Sequence, residues 1–403
     1  MSEWKSVKLG ELYEVHNGLS KGRKFFGSGY PFLSFSTVFN NYFIPDELTD
    51  LVQTTESERN SYSIHRGDIF VTRTSETSDE LGMSCVALKD YPDATYNGFT
   101  KRMRPITDRV LPEYIGYYMR MPSFRGEFQA FSTMTTRASL KNEDLLSLSV
   151  CLPSLDEQNR IAQALLNYDN LIENNQKQIK LLEEAAQRLY KEWFVDLRFP
   201  GYEDVQIVDG VPEGWTKEYL GNCMTIKRGG SPRPIQSYLA EKGLSWLKIS
   251  DASSSNGFYI LDIKEHIKET GLNKTVLLKA GSLVLSNSAT PGIPKILDVE
   301  SCIHDGWLYF ENSLFSNEYL LLMFLNERDK LVSLGTGAVF TNLKTDIVKN
   351  YPHIVPPKDI LNGFQTIVHP IFLKIRENQR TNRLLSEARD RLLPKLMSGE
   401  IEL

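Results

Sequence analysis

The chain has 403 residues, 41% of them hydrophobic, which is enough for more than one core and for roughly two to four domains. A net charge of −5 argues weakly against a nucleic-acid binder, although local groups such as Lys21, Arg23 and Lys24 can still neutralise phosphates while acidic faces meet other proteins. Cys85, Cys151, Cys223 and Cys302 are widely spaced, no apolar run approaches a membrane span of about 18 residues, and MSEWKSVKLG is no signal peptide; the reading is a soluble, intracellular chain with ordinary thiols and no metal site.

Residues 1–152 read as a mixed domain. Short β-rich runs at Phe32 to Phe35, Asp68 to Thr72 and Ser84 to Leu88 are separated by Gly, Ser, Asn and Asp clusters, and Pro112 to Met119 has the pattern of a short helix.

Residues 153–200 carry the stretch that organises the rest. Ile161, Leu165, Tyr168, Ile172, Asn175, Ile179, Leu182, Ala186, Leu189 and Trp193 alternate spacings of three and four, which is a coiled-coil seam. Ser154 stands three residues before Glu157, so a capping box can start the helix, and no Gly or Pro follows before Pro200. A helix from Glu157 to Val195 is roughly 55 to 60 Å long at about 1.5 Å per residue, too long for one small core, so its seam needs a second helix.

Residues 201–355 open with a Pro- and Gly-rich linker, FPGYEDVQIVDGVPEGW, and then repeat the plan of the first domain. Trp4 with Leu9-Gly10 returns as Trp215 with Leu220-Gly221, Phe32-Leu33-Ser34-Phe35 as Trp246-Leu247-Lys248-Ile249, and Leu140-Lys141 as Leu343-Lys344. Residues 356–403 supply the second helix, expected over about Asp359 to Leu393 with Pro370 kinking it or marking a restart. Asn175, Gln176, Leu181, Leu182, Glu184, Ala185, Arg188 and Leu189 recur at one constant offset as Asn378, Gln379, Leu384, Leu385, Glu387, Ala388, Arg391 and Leu392. Eight acids against five bases from Asp156 to Asp196, and six against eight from Pro356 to Leu403, give the two helices opposite net charge, which suits pairing.

These residues together carry a family resemblance. PEGW, then LG, then the GGSPRP turn; LPSLDEQNRIA leading to KEWFVDLRFPG; and the C-terminal RLLPKLMSGEIEL resemble, from end to end, the specificity subunit of type I restriction-modification systems. The resemblance implies an α/β fold of two target-recognition domains with small β-sheets, joined by two long antiparallel coiled-coil helices in a pseudo-two-fold internal repeat. It implies a sequence-specific DNA-recognition subunit that reads a bipartite, asymmetric double-stranded target and docks two methyltransferase subunits and the restriction subunits. S-adenosylmethionine, ATP and Mg then belong to those partners, in a bacterial or archaeal cytoplasm. A second helix paired antiparallel on the first also brings Leu403 back near Met1.

No chemistry of its own is legible in the chain. It has no Gly-x-Gly-x-x-Gly, no Asn-Pro-Pro and no Walker loop, and neither Pro45-Asp46 nor Pro92-Asp93 is followed by Asp/Glu-x-Lys at nuclease spacing, so no catalytic residue is named. The rival reading, from a different class, is a coiled-coil scaffold that joins proteins and reads no DNA.

Direct readout needs polar side chains that reach base edges, supported by phosphate contacts. The candidates in the first domain are Ser20, Lys21, Arg23, Lys24, Arg73, Thr74, Ser75, Lys101, Arg102, Thr136 and Arg137. In the second they are Arg228, Arg233, Ser286, Asn287, Ser288, Thr336, Thr341, Asn342 and Lys344. Thr72-Arg73-Thr74 corresponds to Ser286-Asn287-Ser288, a polar loop at one place in both halves with different residues. Leu171, Leu181 and Phe194 are apolar and off the seam; they are candidates for a partner surface, or for packing on the adjoining domains.

Overall fold

The computed structural model describes residues 4–75, 81–131, 138–255, 257–335 and 342–403. Two compact units emerge: residues 1–170 with 385–403, and residues 171–384. Each contains one recognition domain and a portion of both long helices.

The first long helix runs Leu155–Tyr190 and closes with a π-helical turn over Lys191–Val195. Ser154 Oγ accepts the Glu157 N–H at 3.3 Å, so the cap stands where Ser-x-x-Glu placed it. Not one of the ten seam positions is exposed, whereas Gln163, Asn167, Asn170, Lys177 and Lys180 on the other faces are. The second long helix is a single element, Lys358–Met397. It neither ends nor restarts at Pro370, which lies on the exposed side while Val368, Phe372 and Ile375 are fully buried. One missing backbone bond on a wet face costs less than that buried stripe contributes.

The two helices run antiparallel in each unit. In the second, Gln178 accepts from Asn378 Nδ2 at 3.1 Å and Asn175 meets Asn382. In the first, Asp169 pairs with Arg389 and Arg160 donates to the Leu403 carbonyl at 2.7 Å. Met1 lies outside the described residues, but Trp4 and Ile401 pack on one core, together with Ile161, Leu165, Leu393 and Leu396. In the second unit Ile179, Ala186, Tyr190 and Trp193 share a core with Phe364, Val368 and Phe372 and with the domain.

The domains themselves are built twice on one plan. In the first, the antiparallel sheet orders its strands Tyr13–Asn17, Thr100–Pro105, Ile69–Thr72, Ser84–Val86. In the second, the order is Thr225–Arg228, Trp307–Glu311, Leu283–Ser286, Pro294–Leu297, with Tyr259–Ile260 added in parallel at the edge. The central strands Ile69–Thr72 and Leu283–Ser286 are buried at every residue, which is why each is apolar up to its last residue, Thr72 or Ser286. A two-stranded ribbon closes each domain next to a long helix: Lys5–Lys8 with Ser149–Leu152, and Thr216–Tyr219 with Pro352–Val355. The run expected as a strand over Phe32 to Phe35 ends at Leu33, because the Ser34 hydroxyl caps a helix over Phe35–Asn40.

Candidate nucleic-acid interface

At one end of each sheet, four loop segments are locked together by the same backbone hydrogen bonds. In the first domain Gly18 N–H donates to the Thr100 carbonyl at 3.2 Å, Leu19 N–H to Tyr96 at 3.0 Å, Arg73 N–H to Phe99 at 3.0 Å, and Leu140 N–H to Arg73 at 3.0 Å. In the second, Gly229 donates to Trp307 at 2.9 Å, Gly230 to Ile303 at 3.3 Å, Asn287 to Gly306 at 2.8 Å, and Leu343 to Asn287 at 2.8 Å. The equivalence of Arg73 with Asn287, expected from the repeat, is therefore a backbone identity. A Cβ at Gly18 or Gly229 would fall on the carbonyl oxygen of Asn97 or His304, so both junctions need glycine for this close approach.

The side chains on this shared frame differ. In the first domain Lys21 pairs with Glu58 at 2.8 Å and, with Lys24, lies over the Phe25 ring, while Ser20, Arg23 and Lys24 are exposed and Phe99 projects into solvent. In the second, Arg228 and Arg233 converge on Asp305, with Oδ2 at 3.8 Å and 3.2 Å, and Ser231 donates to Asp305 Oδ1 at 2.6 Å. The Ser231 hydrogen bond first, then the two guanidinium charges, hold the Asp305 carboxyl below its usual range. Asp305 thus fixes two exposed arginines in place.

Several candidates prove to be structural. Lys101 and Arg102 are buried; Lys101 reaches Asn142, and Arg102 donates to the Ser63 carbonyl at 2.8 Å and lies over Tyr96. Burial, then the nearby Arg73 charge, pushes the Lys101 pKa down. Ser286 is buried and ties its own turn, donating to Thr290 and accepting from Ile293, and Asn287 Nδ2 donates to the Asp305 carbonyl at 3.2 Å. These basic and polar side chains are taken up by backbone carbonyls or, for Lys101, by the Asn142 side chain. Arg73 and Ser288 are half-buried, and Asn342 and Lys344 are exposed. Thr136, Arg137, Thr336 and Thr341 lie outside the described residues, as do the side chains of Thr74 and Ser75.

The partner-surface candidates divide. Leu171 and Leu181 are 52% and 65% exposed. Phe194 instead sits in an aromatic cluster, 4.9 Å from the rings of both Tyr319 and Phe364, so for this residue packing on the adjoining domain is the outcome. No group of His, Cys, Asp and Glu suited to a metal ion occurs among the described residues. No helix among them is long and apolar enough to cross a membrane.

Sequence reasoning missed Asn97, Asp305 and His304. They sit in three-residue loops between strands, 97–99 and 304–306, which are equal in length but share no residue at equivalent positions, so the internal repeat gave no signal.

A pair of like domains, each built on portions of two antiparallel helices and each carrying different side chains on one loop frame, defines a duplicated two-domain protein built around long helices. The family model of the type I restriction modification DNA specificity domain matches residues 1–184 and again 212–384, and the chain belongs to this family. It is 27% identical over 414 residues to the type I restriction enzyme MjaIX specificity subunit of Methanocaldococcus jannaschii, covering 99% of this chain and 94% of that one. It is 25% identical over 477 residues to the HindI specificity subunit of Haemophilus influenzae, with both chains covered completely. The fold is like that of the type I restriction-modification S subunit of M. genitalium, with a TM-score of 0.58, 14% identity and coverage of 98% and 96%.

Proposed function

We propose that this chain is the DNA-reading, non-catalytic subunit of a type I restriction-modification complex and that its two domains read two different half-sites of a bipartite target. The observation that carries this reading is the loop junction built twice with the same backbone bonds and different side chains: Lys21 with Arg23 against Arg228 with Arg233. A common frame with separate lettering is what two readers of different words require. Two methyltransferase subunits and the restriction subunits bring S-adenosylmethionine, ATP and Mg, so this chain orients the complex on DNA while its partners supply the reactions.

A gel-shift with the chain and its methyltransferase subunit tests the reading. Sequence-specific retardation of a duplex carrying the target is the expected result. A scaffold that reads no DNA gives none. Methyl transfer from S-adenosylmethionine to DNA by this chain alone would overturn its non-catalytic role.

A further inference from the structure

The two junctions share one feature beyond their backbone bonds. Asn97 Oδ1 accepts the N–H of Phe99, two residues on, at 2.7 Å, and His304 Nδ1 accepts the N–H of Gly306, also two residues on, at 2.8 Å. The residues before them match as well, since the carbonyls of Tyr96 and Ile303 receive the equivalent N–H groups of Leu19 and Gly230. Asn97 and His304 therefore occupy one position of the repeated frame.

A backbone N–H can only donate, and this decides which atom of each side chain faces inward. Asn97 must turn its carbonyl oxygen to the loop, leaving both Nδ2 hydrogens outward. His304 must present an unprotonated Nδ1, which puts its proton on Nε2. Burial pushes the His304 pKa down, with Lys248 and Arg228 acting the same way and Asp305 against them, so the ring stays neutral in that tautomer. Among the described residues no hydrogen bond uses Asn97 Nδ2 or His304 Nε2.

Both side chains border open clefts in corresponding places. One, of about 530 Å³, is lined by Phe32, Phe35 and Asn97; the other, of about 890 Å³, by Trp246, Ile249 and His304. Phe32 and Trp246, like Phe35 and Ile249, are repeat equivalents. Lys21 with Arg23 and Arg228 with Arg233, on the neighbouring loops, can hold the phosphates on either side.

We infer that Asn97 and His304 are the paired base-reading residues of the two domains, each offering only hydrogen-bond donors and so selecting a base edge that carries an acceptor. In the major groove such edges are N7 or O6 of guanine, N7 of adenine and O4 of thymine. The inference rests on the DNA-reading role proposed above.

Asn97→Asp isolates the donor, because it keeps the oxygen that caps Phe99 N–H and replaces the outward amide by a second acceptor. The full chain with its methyltransferase subunit is titrated against duplexes in which each base pair of the methylated site is varied in turn. At one base pair of one half-site the preference, about tenfold for the unaltered chain, should fall to within about twofold or turn toward a base that offers a donor. Preferences in the other half-site should not change. His304→Asp should do the same in the opposite half-site, and His304→Asn, which keeps an inward acceptor and an outward donor, should retain discrimination there. Asn97→Ser and His304→Ser, whose hydroxyls cap the same N–H but fall short of the DNA, provide a second pair should either carboxylate unfold its loop. Unchanged preferences at every base pair, or a uniform weakening of all probes, overturn the inference. An unaltered complex that prefers no probe overturns the DNA-reading role instead.

Discussion

Asn175 Nδ2 donates to Asn382 Oδ1 at 2.9 Å, and Asn382 Nδ2 donates in turn to the Ile172 carbonyl at 3.2 Å. Two amides thus meet between the helices, about one turn from the Gln178–Asn378 hydrogen bond, and their mutual hydrogen bonds favour this register. Replacing Asn175 with Leu leaves the Asn382 amide short of a partner and should cost about 1–3 kcal/mol. Leu at both positions should recover much of that loss while loosening the register. Denaturant midpoints of the two single variants and the double variant give the coupling, and simple additivity would show that the amides act independently.

The second unit should carry a histidine contribution to its pH stability. His353 is held neutral by burial, with its pKa pushed down to about 4, and its Nε2 lies 2.8 Å from the Tyr319 hydroxyl. The unfolded chain takes up this proton near pH 6.5 and the folded one only near 4, so stability is complete above about 6.5 and falls as pH drops toward 4, by at most about 1.4 kcal/mol per pH unit. Glu183, pushed up to about 7 by burial, acts in the opposite sense. The readout is therefore the difference in urea midpoint between the unaltered chain and His353→Gln from pH 7 to 5. That difference should shift steadily in favour of the variant; a pH-independent gap would remove His353 from the account.

Exposure separates the three apolar residues named on the first long helix and the turn that ends it. Leu171→Asp and Leu181→Asp place charges on an already wet face, so melting should move by no more than about 0.5 kcal/mol equivalent while assembly with the methyltransferase subunit is lost. Phe194→Asp buries a carboxylate among Tyr319, Phe364 and Trp215. That variant should unfold its domain before assembly is tested. Calorimetry with co-purification distinguishes them, and normal assembly of both leucine variants would sink the docking role.

Recognition should be modular. Exchanging residues 213–352 for the matching domain of a relative should change one half of the methylated word and leave the other half intact. Sequencing of methylated genomic sites reads both halves at once, and simultaneous change in both counts against two separate readers.

The sequence by itself determined the duplication, the two long helices, the seam down to Asn175, and the family. Each of these is written in local spacing: a three-four apolar period has one helical meaning, and a repeat at constant offset survives any change in the loops between. It did not determine which polar residues face DNA. Lys101, Arg102, Ser286 and Asn287 look like contacts in one dimension, yet the sheet buries them, and their polar groups are taken up by backbone carbonyls or nearby side chains. The sequence leaves Phe194 open between a partner surface and packing on the adjoining domain, because Tyr319 and Phe364, which pack against it, are more than a hundred residues away. Asn97 and His304 are matched only by the fold of each domain, since their equivalence resides in which N–H meets which acceptor, a property of backbone geometry that two different side chains share.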